Sequence, residues 1–389
     1  MRLPLEGSQA IARAVVAARA QVVAAYPITP QTHIVEHIAK LVADGEATCE
    51  LVSVESEFSA ASVVLGAAVA GSRAYTATAS QGLLLMGEVL YNIAGLRVPL
   101  VMTVANRAVS APLSIWNDQQ DSMAMRDAGW VQLYCSDNQE AVDTTLQAFR
   151  IAETLEVPVM VCVDGFTLTH TLEAIDLPAQ EQVDHFLPPY RFARTLNPRN
   201  PLSFGTLVAP EYYAEMRQLH HQALLDALEL IPAVDAAWQE VSGRSCGGLL
   251  RVEGDPAART GVLTLGSIFG TLADAVAIDP ACGPVRLMHL RSFRPFPAAA
   301  LRAACAGLER LVVLERAISP GASGIVTAEV RAALAELLKP PCVHGFAVGL
   351  GGRDVPLDLL PRLLASLPET PGPFRIFDLD PDKLPQEAL

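Results

Sequence analysis

The sequence predicts an α/β protein whose first part is a doubly wound, mostly parallel sheet, followed by a smaller α/β unit. Short apolar runs alternate along the chain with segments of helical periodicity, a pattern typical of βαβ units. The run 98–105 is almost wholly apolar, as a parallel strand covered on both faces must be. This alternation stops near residue 176 and starts again near residue 249, which indicates two separate sheets.

In the first part, a helical segment follows most of the predicted strands. The helix after the first strand is expected to begin at Gln31, with Thr29 as its N-cap and Pro30 at its first position. The helix after the second strand contains almost only small and aliphatic residues, so we expect it to be buried on most sides. The predicted strands are 21–25, 51–54, 73–79, 98–105, 130–134 and 157–163, and the predicted helices are 7–20, 31–43, 59–70, 83–94 and 139–154.

These patterns divide the chain into three segments. Residues 1–175 form the first domain. Residues 176–247 are rich in proline and are expected to be an extended connection with one helix, 210–230, that packs over the first domain. Residues 248–389 form the second domain. Its predicted strands are 261–265, 285–289, 311–314 and 343–345, and its predicted helices are 271–278, 298–306 and 325–338.

Composition excludes several classes of protein. The formal net charge of −14 and the pI near 5.0 argue against nucleic acid or an anionic membrane surface as a partner. No apolar run reaches the ~20 residues that a membrane span needs, and the N-terminus lacks the apolar core of a signal peptide, so we expect a cytoplasmic protein. The seven cysteines are dispersed without a C-x-x-C pair, which predicts neither a disulfide framework nor a zinc or iron–sulfur site.

Polar residues follow four of the predicted strands. They are Tyr26 to Thr29, the pair Glu55 and Glu57, Ser80-Gln81-Gly82, and Asn106-Arg107. Because ligands of doubly wound sheets bind at the carboxyl ends of the strands, we expect these four clusters to converge on one site.

Each cluster also has a purely structural interpretation. Glu55 and Glu57 could cap the following helix, where the macrodipole favours anions. Arg107 is well placed to hold a carboxylate through two hydrogen bonds, but it could equally pair with Asp118. Residues 80–82 could be a simple turn between a strand and a helix. The backbone N–H groups beside Thr29 could either begin a helix or receive an anion.

No metal site is predicted. His33 and His37 lie one helical turn apart, but no third ligand stands near them in the sequence, so an exposed helix face is the favoured interpretation. The carboxylates of Asp118, Asp121 and Asp127 lack the spacing of a calcium loop and are taken as structural. The pair 164–165 does not have the order or the flanks of a Gly-Asp-Gly site for pyrophosphate and Mg²⁺.

Several short motifs, in the same order along the chain, resemble those of a known protein family. They are Tyr-Pro-Ile-Thr-Pro (26–30), Val-Glu-Ser-Glu (54–57), Thr-Ala-Ser-Gln-Gly (78–82), Ala-Asn-Arg-Ala-Val-Ser-Ala-Pro (105–112), Ile-Trp-Asn-Asp (115–118) and Asp-Gly-Phe-x-Leu-Thr-His (164–170), with Gly-Ser-Ile-Phe-Gly-Thr (266–271) and Arg-Ser-Phe-Arg-Pro-Phe-Pro (291–297) in the second domain. The chain resembles, over essentially its whole length, the alpha subunits of pyruvate:ferredoxin oxidoreductases, within the 2-oxoacid:ferredoxin oxidoreductase family.

The resemblance implies an enzyme that uses thiamine diphosphate at a site shared between two chains. The first domain would be the pyrimidine-binding domain and the second a transketolase C-terminal-like domain. A beta subunit would hold the diphosphate, Mg²⁺ and a [4Fe–4S] cluster, with gamma- or delta-type subunits or ferredoxin as further partners. The implied reaction is oxidative decarboxylation of a 2-oxoacid, with pyruvate expected, to acyl-CoA and CO₂. A dimer of such heteromers is expected.

The resemblance also implies roles for particular residues. Glu57 corresponds to the catalytic glutamate that hydrogen-bonds N1′ of the aminopyrimidine. Thr29 and Arg107 correspond to residues that hold the 2-oxoacid carboxylate. The further cofactor-binding residues are Pro27, Ile28, Ser80 and Gln81. A poorly hydrated glutamate suits this role, because desolvation favours sharing a proton with a ring nitrogen.

The sequence leaves three alternatives open. The same chemistry could act on phenylglyoxylate, a branched-chain 2-oxoacid or 2-oxoglutarate. The chain could belong to a non-oxidative thiamine diphosphate enzyme, or it could be a non-catalytic assembly subunit. The electron acceptor, the number of partner chains and the direction of the reaction are not fixed by the sequence.

Overall fold

The structure is a computed structural model that describes residues 2–384. Met1 and residues 385–389, the outer ends of the predicted first and last domains, lie outside the described residues. The strands are β1 (Arg2–Glu6), β2 (Val22–Ala25), β3 (Glu50–Ser53), β4 (Ala74–Thr78), β5 (Val101–Asn106), β6 (Val131–Tyr134), β7 (Val159–Asp164), β8 (Leu172–Asp176), β9 (Leu250–Gly254), β10 (Thr260–Thr264), β11 (Val285–Leu290), β12 (Ser292–Arg294), β13 (Arg310–Glu315), β14 (Cys342–Ala347) and β15 (Arg375–Ile376). The helices are α1 (Gly7–Ala17), α2 (Thr32–Ala43), α3 (Glu57–Val69), α4 (Ser80–Leu85), α5 (Gly87–Gly95), α6 (Gln120–Ala124), α7 (Asn138–Leu155), α8 (Gln180–Phe186), α9 (Pro210–Ser242), α10 (Ile268–Ile278), α11 (Ala298–Ala304), α12 (Ile325–Leu334) and α13 (Leu359–Ala365).

The first sheet has seven strands in the order β12-β6-β7-β5-β4-β2-β3. Strands β2 to β7 all run parallel to one another. Every residue of β5 and β7 is buried, because α1, α2 and α7 cover one face of the sheet and α3, α4 and α5 cover the other. The predicted doubly wound α/β fold is confirmed.

The second sheet has six strands in the order β15-β14-β13-β10-β11-β9, parallel except for β9. Several contacts join the two units. Strand β12 leaves the second unit and pairs antiparallel with β6 at the edge of the first sheet. At the end of β7, the Asp164 carboxylate accepts hydrogen bonds from the backbone N–H of Ser267 (2.9 Å) and from Arg316 (3.1 Å), both in the second unit.

The connection between the two sheets contains more helix than the sequence predicts. It has a short helix, α8, in addition to the expected one, and the expected helix continues beyond residue 230 to Ser242. The longer helix is stabilised by packing on α7, and Trp238 lies 4.8 Å from Phe186 of α8 between ring centroids. It ends at Gly243, whose φ of +76° suits glycine. No helix in the described part of the chain is long and apolar enough to cross a membrane.

Three local details also differ from prediction. Strands β1 and β8, which the sequence did not indicate, form a two-stranded antiparallel sheet beside the first domain. The predicted helix 83–94 is two helices, α4 and α5, that meet at Met86. Helix α2 begins at Thr32, so the prediction of Thr29 as its N-cap is wrong. Instead, the Gln31 side chain accepts a hydrogen bond from the backbone N–H of Ile28, and residues 28–31 form a turn before the helix.

Candidate active site

The two glutamates after β3 have different environments. Ser56 between them is the N-cap of α3, since its hydroxyl oxygen accepts the backbone N–H of Ser59 at 3.2 Å. Glu55 is exposed and accepts a hydrogen bond from the Ser59 hydroxyl, which lowers the pKa of the Glu55 carboxyl. Glu57 is buried, with 7% of its surface exposed. Neither glutamate is therefore the helix cap, and Glu57 is the one that faces the protein interior.

The Glu57 carboxylate packs against α4. A Cβ atom built on Gly82 would lie 2.6 Å from Glu57 Oε1 and 2.6 Å from Thr78 Oγ1, so a larger residue at this position would displace these side chains. Within residues 2–384, the Glu57 carboxylate makes no hydrogen bond. The buried hydroxyl of Thr78 also lacks a partner. Two polar groups that normally would be paired are thus left side by side at the end of β4.

Ser80 and Gln81 begin α4, directly after β4. Ser80 is fully buried and has a left-handed φ of +49°, which is uncommon for a residue other than glycine. Its hydroxyl donates to the Ala108 carbonyl at 2.6 Å and its backbone N–H donates to Asp121 Oδ2 at 2.9 Å. The Gln81 amide nitrogen is buried without a hydrogen-bond acceptor. Ser80 is therefore held by the protein, whereas Gln81 retains a free donor.

Arg107 contacts neutral groups. Its Nη1 donates to the Thr29 carbonyl at 2.8 Å and its Nε donates to the Ser114 carbonyl at 3.1 Å. No ion pair with Asp118, the alternative considered from the sequence, occurs within the described residues. Burial lowers the pKa of the Arg107 guanidinium, and the nearby Asp121 carboxylate opposes this effect. The guanidinium is thus a largely buried cation that lacks a bonded carboxylate partner.

Thr29 and its neighbours form the loop between β2 and α2. Thr29 and Pro27 are exposed, Ile28 is half-buried, and the Thr29–Pro30 peptide bond is cis. The Thr29 side chain is not used to cap a helix, and its carbonyl accepts the hydrogen bond from Arg107. The two residues predicted to hold a substrate carboxylate are therefore in direct contact.

Asp121 organises this edge of the sheet, although the sequence indicated only a structural loop residue. It is fully buried and accepts hydrogen bonds from the backbone N–H groups of Ser80, Arg107 and Ser122 and from the side-chain amide of Asn106, at 2.7–3.0 Å. Burial raises the pKa of Asp121 to about 7, against the effect of these four donors. Through Asp121, the ends of β4 and β5 are fixed relative to each other.

The groups left unpaired here fit an aminopyrimidine ring. Such a ring has ring nitrogens and an exocyclic amine. A protein can hydrogen-bond these groups through a carboxyl group and polar side chains that include both donors and acceptors. The Thr78 hydroxyl and the Gln81 amide nitrogen are buried without a partner, and the Glu57 carboxylate makes no hydrogen bond within the described residues. None of these residues belongs to a group of three metal-ligating side chains in the part of the chain that the structure describes. The edge thus suits the organic part of a cofactor.

Comparison with known proteins decides the family. Residues 13–235 match the family model for pyruvate flavodoxin/ferredoxin oxidoreductase, thiamine diphosphate-binding. Residues 258–360 match the model for pyruvate:ferredoxin oxidoreductase core domain II. The chain belongs to the pyruvate flavodoxin/ferredoxin oxidoreductase family. The resemblance seen in its motifs is confirmed, and the chain is part of an oxidoreductase with a thiamine diphosphate-binding domain.

Relatives of this oxidoreductase chain are similar over almost their whole length. The pyruvate synthase subunit PorA of Methanosarcina barkeri is 46% identical over 365 residues, which cover 92% of this chain and 91% of that protein. The ketoisovalerate oxidoreductase subunit VorA of Pyrococcus abyssi is 42% identical over 352 residues, which cover 90% and 89% respectively.

Solved structures support the fold of this oxidoreductase family member. The 2-oxoglutarate:ferredoxin oxidoreductase from Magnetococcus marinus superposes with a TM-score of 0.70 at 21% identity, over 94% of this chain. The match spans 65% of that longer chain. A split gene transketolase, described as an inactive beta4 tetramer, superposes with a TM-score of 0.52 at 14% identity and covers 90% of this chain and 92% of its own.

The structure places several of the site residues that the sequence of this oxidoreductase chain suggested close together. Arg107 contacts Thr29, and Ser80 is joined to Arg107 through Asp121. Glu57 lies beside Gly82, the next residue after Gln81. The sequence indicates only a structural role for Asp121 and gives Thr78 no role, because neither has a spacing that distinguishes it from an ordinary loop or strand residue.

Proposed function

We propose that this chain is the alpha subunit of a CoA-acylating pyruvate:acceptor oxidoreductase that converts pyruvate to acetyl-CoA and CO₂. The observation that carries the proposal is the buried Glu57 carboxylate, which has no protein hydrogen-bond partner within the described residues, in a chain of this family. Pyruvate is favoured because several relatives at 40–46% identity are pyruvate synthase subunits.

Glu57 would bind the aminopyrimidine of thiamine diphosphate and share a proton with its ring nitrogen. When bound, thiamine diphosphate supplies a carbon nucleophile and an electron sink for decarboxylation. The Thr78 hydroxyl beside Glu57 and the unpaired Gln81 amide nitrogen would also hold the ring, with Pro27, Ile28 and Ser80 as additional contacts. Because an unpaired buried polar group costs about 1–3 kcal/mol, a ligand that pairs these groups gains affinity.

Arg107 would hold the carboxylate of the 2-oxoacid, with Thr29 beside it. The protein groups bonded to its guanidinium are neutral carbonyls, so the positive charge remains available to an anion. A guanidinium binds a carboxylate through parallel N–H donors, and this arrangement fixes the orientation as well as the position of the substrate. Thr29 is exposed, so its hydroxyl is accessible to the same ligand.

A beta subunit would complete the site. We assign the diphosphate, Mg²⁺ and [4Fe–4S] clusters to partner chains, with gamma- or delta-type subunits or ferredoxin as electron acceptors. Large apolar side chains are exposed around the site: Tyr26, Phe58, Leu85, Leu113 and Trp116. Exposed apolar surface of this kind favours a protein partner at this edge. A dimer of such heteromers remains our prediction.

The direct test is reduction of a viologen dye by the complex that co-purifies with this chain, in the presence of CoA. Pyruvate, 2-oxoisovalerate, phenylglyoxylate and 2-oxoglutarate are compared side by side. We expect pyruvate to give the highest kcat/KM. A preference for 2-oxoisovalerate would instead support the second candidate, a branched-chain 2-oxoacid oxidoreductase, which the VorA relatives at 41–42% identity favour.

The role of Glu57 is tested by Glu57→Gln, with Glu55→Gln as the matched control. Loss of a proton-sharing carboxylate is expected to lower kcat by about 10²–10⁴-fold. Glu55→Gln changes an exposed carboxylate of the same loop and is expected to leave kcat within a factor of two or so of the wild type. Equal activity of Glu57→Gln and wild type would contradict the assignment.

A further inference from the structure

Three metal-ligand side chains that are far apart in sequence meet near the first turn of α2. Glu6 ends β1, His33 lies in α2, and His170 lies in the turn between β7 and β8. The ligand atoms of these three residues all lie within 4.8 Å of one another. His33 Nδ1 is 2.6 Å from Glu6 Oε1, and the rings of His33 and His170 are 4.4 Å apart between centroids.

The cluster differs from the histidine pair that spacing suggests. Spacing in the sequence pairs His33 with His37 and offers no third ligand. In the structure the ring of His37 is 6.4 Å from that of His33, and His37 is not in the cluster, whereas Glu6 and His170 are. The signal was absent from the sequence because the three residues come from separate segments that only the fold brings together.

We infer that Glu6, His33 and His170 form a binding site for a divalent transition-metal ion, with Zn²⁺ as the best match. Two imidazoles and one carboxylate form a donor set that zinc binds in proteins, and three protein ligands leave a fourth position for water. Imidazole also suits neighbouring metals such as Co²⁺ and Ni²⁺, whereas Mg²⁺ and Ca²⁺ prefer oxygen ligands. The site is separate from Glu57, and it is not required by the proposed reaction.

The local geometry can accept an ion after a small movement. Ligand atoms of a tetrahedral zinc at ~2.0–2.1 Å from the ion lie roughly 3.3 Å apart. The hydrogen-bonded Glu6–His33 pair, at 2.6 Å, must therefore open by less than about 1 Å. Both side chains have room for this shift, since 42% of the His33 side chain and 19% of the Glu6 side chain are exposed.

A hydrogen bond holds the ring of His170 in place. The Nδ1 atom of His170 lies 2.8 Å from the Thr169 hydroxyl oxygen, which leaves Nε2 as the ligand atom. A hydrogen bond to the second ring nitrogen is a common way to orient a histidine ligand.

An ion here would connect three segments of the first domain. The start of α1, the first turn of α2 and the turn after β7 would share one set of metal bonds. The loop that carries Thr29 directly precedes α2, so the ion would also restrain one end of that loop. Because metal that binds only the folded chain stabilises it, added Zn²⁺ should raise the Tm of the complex.

The test is calorimetric titration of the purified complex with Zn²⁺ after removal of free metal, together with zinc content by mass spectrometry. Neither measurement uses enzyme activity. We expect the cluster to bind one zinc ion per alpha chain. His170→Gln should bind zinc at least tenfold more weakly, since even changes to residues that hydrogen-bond a metal ligand lower metal affinity 10- to 100-fold. Glu6→Gln should weaken binding as well. His221→Gln, an exposed histidine of α9, is the matched control and should bind as the wild type.

Zinc bound elsewhere is distinguished by Cys342→Ser. Cys342 Sγ lies 3.3 Å from His344 Nε2 in the second unit, and a thiol beside an imidazole is a pair that could also bind zinc. The inference is overturned if the wild type takes up no zinc. It is equally overturned if folded His170→Gln and Glu6→Gln proteins, with wild-type circular dichroism, bind zinc as tightly as the wild type.

Discussion

Replacement of Gly82 by alanine tests the geometry of the proposed site most directly. The added Cβ would lie 2.6 Å from Glu57 Oε1, 2.6 Å from Thr78 Oγ1 and 2.8 Å from Glu57 Cγ. Gly82 lies inside α4 with an ordinary negative φ, so alanine causes no backbone strain there. Alanine even favours the helix by ~0.8–1 kcal/mol. The only adverse effect is steric, and it acts on Glu57 and Thr78.

The expected effects on stability and activity are therefore very different. Overpacking costs about 1–3 kcal/mol, and the gain in helix propensity offsets part of it, so the free energy of unfolding should fall by at most about 2 kcal/mol. The Glu57 carboxylate, however, must move by a few tenths of an ångström or more. Displacement of a catalytic group by about 1 Å can cost 10²-fold in rate, so we expect a decrease in kcat of about 10- to 100-fold.

The assay is viologen reduction with a saturating 2-oxoacid, accompanied by the Tm of each complex. Gly66→Ala is the matched control, because Gly66 lies in α3 with Glu57 and a Cβ there would have no atom within 4 Å. We expect Gly66→Ala to keep the wild-type kcat. If Gly82→Ala also keeps the wild-type kcat, the contact between α4 and Glu57 has no part in catalysis and our assignment of Glu57 fails.

Two further changes test the charged groups of the site. Arg107→Lys should raise the KM for the 2-oxoacid by about 10- to 100-fold, with a smaller effect on kcat. An ammonium cannot reach the Thr29 and Ser114 carbonyls and also bind a carboxylate through two N–H donors. An unchanged KM would exclude Arg107 as the carboxylate ligand. Asp121→Asn should lower the free energy of unfolding by about 1–3 kcal/mol, because an amide group would face N–H donors that now have a carboxylate acceptor. Burial raises the pKa of Asp121 from 3.8 to about 7 in the folded chain, so between these pH values the folded chain holds one proton more than the unfolded chain. The stability of the wild type, relative to that of Asp121→Asn, should therefore fall as pH rises from about 4 to about 7. Urea unfolding of both proteins across this range measures the difference, and a flat difference would contradict the raised pKa.

The sequence predicted the α/β class well because the signal is local. A buried parallel strand has to be apolar along its length, and β5 and β7 are apolar and fully buried. The helix boundaries were less accurate where a tertiary contact decides them. Thr29 has the residue type of an N-cap, but its carbonyl is bonded to Arg107 and the Gln31 side chain closes a turn before the helix begins.

The sequence predicts several residues of the candidate site but not the contacts that hold them in position. Polar residues at the strand ends indicated Glu57, Ser80 and Arg107, since chain direction alone places such ends at one edge. The choice between Glu55 and Glu57 came from the family motif, and burial now distinguishes them. Asp121 and the cluster at His33 depend on contacts between distant segments, for which the sequence carries no periodic or spaced signal.

Strand β12 has a consequence for how the chain is made. Residues 292–294 pair with β6, which is more than 150 residues earlier in the chain, and they cover an edge of the first sheet that is otherwise open. During synthesis, the first domain emerges from the ribosome with this edge unpaired until the middle of the second domain has been translated. An unpaired edge is a template for aggregation. A fragment that ends after residue 175 should therefore self-associate, and slow translation between the two domains would prolong this vulnerable period in the cell.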